Sequence, residues 1–154
     1  MATKVRVAKI ASWSGIRTVI AAAARPGVLA AAVGGDPGGG TVVRARDRRL
    51  ASRKLWIAFA RRSQGVIEVD EGARRALIER ETSLLAVGVV GVSGRFAPGD
   101  AVEIADKAGT VFAKGLARMG ADELRAAAGR RTADLPEGGA QEVVHRDDLV
   151  VTST

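Results

Sequence analysis

The sequence has no cysteine, no tyrosine, one histidine and four prolines, and aromatic residues make up only 3% of it. Without cysteine there is no disulfide framework, no thiolate metal ligand and no thiol nucleophile. A lone histidine, His145, excludes a zinc site built from several imidazoles. Trp13, Trp56, Phe59, Phe96 and Phe112 are too scattered to form an evident base-stacking platform. No apolar run crosses a bilayer's thickness without meeting a glycine or a charge. Lys4, Arg6 and Lys9 near the start are followed by no uninterrupted apolar region or leader-cleavage pattern. The expectation is a cytoplasmic protein with no membrane partner.

The chain has 154 residues, 47% of them apolar, and a mean hydropathy of +0.08. That suffices for one ordinary domain, or a small domain with an appendage. The net charge of +7 is unevenly placed: residues 1–50 hold nine Lys/Arg against two acids, and residues 51–154 hold fifteen of each sign. Arg44, Arg46, Arg48, Arg49, Arg53 and Lys54 concentrate the excess at the junction. Such a cluster can neutralise phosphates, and it also fits a solvated linker.

Residues 66–106 organise the rest. Val66, Ile67 and Val69 are β-branched and suit a pleat, and Asp70 is a good N-cap for the helix that should follow. Ala73, Ala76 and Leu77 recur at helical spacing. Residues 83–92 form an apolar run broken by Gly88 and Gly91, with Gly94 just beyond. Residues 95–100 read as a turn around Pro98-Gly99. Val102 and Ile104 then alternate with Glu103, residues 106–109 read as a hairpin turn, and residues 110–118 alternate again. A second helix is expected after Asp122, ending at Gly129. Residues 130–141 read as a loop, and residues 143–152 as one closing strand kinked at Asp147-Asp148.

Residues 1–15 read as a helix that Thr3 can cap and Gly15 can end. A buried strand over 17–23, a short helix over 28–33, a glycine-rich loop over 34–40 and a strand over 41–43 follow. This order is half of an α/β sheet, and about 50 residues bury such a core poorly. Leu55, Ile57 and Phe59 alternate with Trp56 and Ala58, which predicts a strand that opens the second domain. Trp56 can stack on a base or pack at the domain seam.

Val69-Asp70-Glu71-Gly72-Ala73, Ser83-Leu84-Leu85 and the Gly94-x-Phe96-x-x-Gly99-Asp100 segment resemble the PUA domain, in the version found at the C-terminus of the glutamate 5-kinase family. Val144-His145-Arg146-Asp147-Asp148 resembles that family's terminal segment, and Arg53-Lys54-x-Trp56-Ile57 its domain junction. Together these motifs cover about the last two thirds of the chain. Met1-Ala2-Thr3-Lys4 resembles the end of the family's Gly-Gly-Met-x-Thr-Lys segment, without the two glycines.

The resemblance implies a fold that is mainly β with α: a PUA-like pseudo-barrel over 51–154, preceded by a partial α/β segment over 1–50 from the end of an amino-acid kinase domain. It implies the C-terminal portion of an enzyme that phosphorylates the glutamate γ-carboxylate with ATP and Mg²⁺, the first step toward proline. Thr3 and Lys4 would then contact ATP phosphates. The expected partners are the rest of the kinase domain or kinase subunits in a homo-oligomer, and the chain alone is expected to be inactive. His145 is expected to hydrogen-bond structurally. The alternative is a free-standing PUA-type RNA-binding protein, with Arg48, Arg49, Arg53, Lys54, Arg74 and Arg75 on phosphates and Gly72, Gly88, Gly91 and Gly94 allowing close backbone approach. A third reading is a protein-interaction module.

Overall fold

In the computed structural model, which describes residues 1–47, 49–130 and 142–152, the chain divides into two compact units, Met1–Leu55 and Trp56–Thr154. In the second unit, β3 (Gly65–Val69) leads into α4 (Glu71–Glu79) through Asp70, whose carboxylate accepts the Ala73 N–H at 2.7 Å. One of the helix's unpaired first-turn amides is thereby satisfied. Asp70→Ala is expected to lower the stability of this unit by about 1 kcal/mol. Urea unfolding checks this, with an unchanged slope and a lower midpoint as the expected result.

After α4 come β4 (Leu84–Leu85), a 3₁₀ turn over Ala86–Gly88, β5 (Val89–Gly94), β6 (Ala101–Ala105) and β7 (Val111–Leu116). α5 (Ala121–Ala127), β8 (Glu142–Val144) and β9 (Leu149–Val151) complete the unit. Five strands make one mixed sheet in the order β5-β3-β6-β7-β9, and β4 pairs with β8 separately. β3 runs parallel to β6, with Ile67 opposite Ile104, while the other pairings in the sheet are antiparallel. The β6–β7 turn is local chemistry: the Asp106 carboxylate accepts N–H groups of Ala108 at 3.0 Å and Thr110 at 2.9 Å. Ile67, Leu77, Leu84, Ile104, Phe112 and Leu124 are buried in one core. The unit is mainly β with α, as expected.

Three readings are corrected here. Residues 55–59 are not a strand: α3 (Ser52–Leu55) runs into a π-helical turn over Trp56–Ala60. Within that turn Ile57 is the only buried residue, so the apparent alternation does not mark an inward face. The helix expected from Asp122 begins at Ala121, leaving Asp122 and Glu123 in its first turn, where acids favour the helix dipole. The closing strand is two strands: a 3₁₀ turn over Arg146–Asp148 divides β8 from β9, and the two pair with different partners. Of the loop expected over 130–141, residues 131–141 lie outside the described residues.

In the first unit, α1 (Ala2–Trp13) starts with Met1 at the cap position, so Thr3 sits inside the first turn and does not cap it. Gly15, at φ +77°, follows the helix end in the left-handed conformation that suits glycine. β1 (Thr18–Ile20) is shorter than the strand expected over 17–23 and only half-buried. α2 (Val28–Gly34) and β2 (Thr41–Val43) follow, and β2 pairs antiparallel with β1, with Val19 opposite Val42. The end of α1 holds the segment beyond β2: Ser12 Oγ donates to the Arg44 carbonyl at 2.7 Å, and Leu50 N–H donates to the Trp13 carbonyl at 3.0 Å. The Arg46 guanidinium lies 3.8 Å from the centre of the buried Trp13 ring, a cation–π contact. Among the described residues no helix is long and apolar enough to cross a membrane.

Candidate phosphate-contacting site

Thr3 and Lys4 stand together on the first turn of α1, and both are exposed. The first N–H groups of a helix have no intrahelical acceptor, and the dipole places partial positive charge there. The Val5 N–H is the first to close back, onto the Met1 carbonyl at 3.2 Å. No acidic residue occupies this turn. A hydroxyl, an ammonium and outward-facing amides are a donor set for phosphate oxygens. The turn can therefore receive an anionic group such as a phosphate. The described residues contain no group of three or more His, Asp or Glu side chains placed to hold a metal ion.

The six candidate RNA contacts divide between the two units, Arg48, Arg49, Arg53 and Lys54 in the first and Arg74 and Arg75 in the second. Arg48 lies outside the described residues. Arg49 is exposed, but its aliphatic carbons pack against Gly15, 3.6–3.8 Å from where a Cβ would stand. Arg53 is exposed and Lys54 half-buried on α3, and both already have partners. Arg74 is turned into its own domain: Nη1 lies 3.4 Å from Glu71 Oε1, Nε lies 3.8 Å from Asp106 Oδ2, and the guanidinium sits 5.6 Å from the Phe112 ring centre. Its Nε is buried without a hydrogen-bond partner. Arg75, next to it on α4, is exposed.

Of the four candidate glycines, Gly88, Gly91 and Gly94 are taken up by packing, whereas a Cβ at Gly72 would meet only Asp70 Oδ1, at 3.3 Å. A Cβ at Gly88 would stand 2.5 Å from the Ala73 Cβ, and one at Gly91 would stand 2.7 Å from Glu68 Oε2. Gly94 combines a φ of +86° with a Cβ position 2.5 Å from the Gln64 carbonyl. These close approaches serve helix–strand and strand–strand contacts.

Trp56 is half-exposed, with the Arg61 guanidinium 5.1 Å from its ring centre. His145 acts structurally. Its Nδ1 accepts the Asp147 N–H at 3.2 Å and so caps the 3₁₀ turn after β8. That is the hydrogen bonding expected of it. Two exposed apolar residues, Leu29 and Val33 on α2, belong to none of the motifs above. Their i, i+4 spacing in a segment without charge was the available signal.

The sequence model of the PUA domain matches residues 65–138. Over 155 residues the chain is 47% identical to a glutamate 5-kinase from Myxococcus xanthus (strain DK1622), covering 98% of this chain and 41% of that protein. It is 44% identical over 158 residues to a glutamate 5-kinase from Anaeromyxobacter dehalogenans (strain 2CP-C), covering 100% of this chain and 41% of that protein. A solved PUA domain from Aeropyrum pernix K1 shares 32% identity over 61% of this chain and 50% of its own, with a TM-score of 0.42. The chain thus spans about two fifths of the length of the curated relatives it matches.

Proposed function

From the premise that this chain carries a PUA domain and is related along its length to the C-terminal part of glutamate 5-kinases, we propose that it supplies the C-terminal part of such a kinase. The observation that carries this reading is that the similarity does not stop at the PUA domain. It runs through residues 1–55 as well, at 40–47% identity over 98–100% of the chain. A PUA domain joined to an unrelated arm would match only over its own residues.

The reaction is transfer of the γ-phosphoryl group of ATP to the γ-carboxylate of glutamate. The bond from phosphorus to the ADP oxygen breaks, a bond to a carboxylate oxygen forms, and ADP leaves. Negative charge spreads over the three equatorial phosphoryl oxygens during transfer, and fixed donors aimed at it lower the barrier. Lys4 Nζ supplies a full positive charge, the Thr3 hydroxyl a hydrogen bond, and the first turn of α1 its unpaired amides. These residues bind and orient phosphate, while the glutamate site and most of the nucleotide site belong to the upstream part of the kinase. The PUA domain serves a binding or regulatory role, and the assembly takes place in the cytoplasm.

The test is genetic complementation. A bacterium lacking its own glutamate 5-kinase is supplied with this chain, with the upstream three fifths of the Myxococcus relative, or with both. Growth without added proline is expected only with both. Growth with the chain alone, or failure with both despite soluble expression, goes against the reading.

A further inference from the structure

The first turn of α1 carries the candidate phosphate donors, and the burial of α1 lies at its other end. Residues 1–7 are all exposed, whereas Ala8, Ser12 and Trp13 are buried. The placement of the first turn within this unit is therefore set from the far end of the helix. That end is clamped by the segment that follows β2. A helix leaves its last four carbonyls without intrahelical donors. Two of them are met here: the Ser12 carbonyl accepts the Arg46 N–H at 3.0 Å, and the Trp13 carbonyl accepts the Leu50 N–H at 3.0 Å. The Ser12 hydroxyl donates to the Arg44 carbonyl at 2.7 Å, so this residue is tied through both backbone and side chain. Ser14 makes the ordinary bond of a helical serine, back to the Ile10 carbonyl at 2.9 Å, while Ser12 reaches a partner 32 positions away. The Arg46 guanidinium lies 3.8 Å from the centre of the Trp13 ring.

Lys4 and Trp13 are nine residues apart in α1, about 14 Å along a helix axis. A tilt of about 5° at the clamp displaces the first turn by about 1 Å. Misplacement on that scale can cost about 10²-fold in rate where fixed donors must meet a reacting group. We infer that Ser12, Trp13 and Arg46 are positioning residues of the phosphate site. By clamping the last turn of α1 against residues 44–50 they fix the angle of the helix, and so the place of Thr3 and Lys4. This rests on the proposed function and deepens it by naming residues that govern the site without touching it.

The test is a mutant cycle in the complex of this chain with the upstream segment of the Myxococcus relative. Ser12→Ala with Arg46→Ala removes the side-chain ties and leaves the backbone ones. This double variant is expected to lower kcat about 10-fold, with the KM for glutamate within about twofold. In a Lys4→Ala background the same pair is expected to cost less than about threefold, because residues that act through one group are not additive. Ser12→Ala with Arg46→Lys keeps a cation at the Trp13 ring and should recover most of the loss. A second readout needs no turnover: ATP is expected to shield the Lys4 amine from acetic anhydride, measured by peptide mass with Lys9 as reference. That shielding should fall at least about threefold in the double variant and persist with Arg46→Lys. Ser12→Ala alone should show the same pattern at smaller size, and it decides the matter if the double variant does not assemble. Three results overturn the inference: an unchanged kcat, a loss as large without Lys4 as with it, or Lys4 equally shielded in the double variant. A Lys4→Ala complex with the parental kcat removes the phosphate reading itself, a failure distinct from these.

Discussion

Lys4→Ala, in the chain assembled with the upstream kinase segment, is expected to lower kcat about 10²–10³-fold with little change in the KM for glutamate. Lys4 is the full positive charge beside the unpaired amides that open α1, and no acid stands in that turn to screen it. On the proposed reading its ammonium meets the charge that develops on the transferring phosphoryl group, which is where electrostatic stabilisation has most effect. Alanine is the best helix former, so α1 should keep its geometry and the assembly its stability. The loss then belongs to the charge and not to the fold. Thr3→Ala removes one hydroxyl and should cost less, about 10-fold. Steady-state kinetics on the assembled protein check both. A Lys4→Ala enzyme within about threefold of the parent would remove this turn from the phosphate site.

Phe112→Ala is the second large effect, and it falls on stability. The ring is nearly inaccessible, and it lies on β7 between β6 and β9. Truncation leaves a cavity that strands hydrogen-bonded on both sides cannot close, so the expected cost is about 3–5 kcal/mol. It also removes the aromatic face from the Arg74 guanidinium 5.6 Å away. Against a typical total of about 5–15 kcal/mol this is a large fraction. At roughly 4–8 °C per kcal/mol for a domain of this size, the melting temperature should fall by about 12–40 °C. Phe112→Leu keeps most of the volume and should cost about 1 kcal/mol. Thermal melts followed by circular dichroism separate the two variants. A loss below about 1 kcal/mol for alanine would mean that the core does not depend on this ring.

The parts of the fold that were legible in the sequence are those whose cause lies within a few residues. Asp70 caps α4 through an amide three positions on, and Asp106 closes its hairpin through amides two and four positions on. The misreadings come from causes further away. Leu55, Ile57 and Phe59 alternate, yet no neighbouring strand takes them up, and the segment winds into a helix around Ile57. Residues 143–152 read as one kinked strand, but β8 pairs with β4 and β9 with β7, so the chain must turn between them.

The candidate site divides in the same way. Thr3 and Lys4 were named through the resemblance of Met1-Ala2-Thr3-Lys4 to the family's segment, not through any spacing rule. That Arg74 lies beside Asp106, 32 positions away, is invisible to any spacing rule. The exposed face of α2 was also hidden, since a sequence shows that Leu29 and Val33 share a side but not that they stand 80% and 86% exposed.

The most direct test of the central claim is turnover by the complex of this chain with the upstream segment of the Myxococcus relative. Acyl phosphate is trapped with hydroxylamine, and ADP release is followed in parallel. The account predicts hydroxamate that needs glutamate, ATP and both polypeptides, formed in step with ADP. A complex that assembles one-to-one yet releases no glutamate-dependent ADP would contradict it.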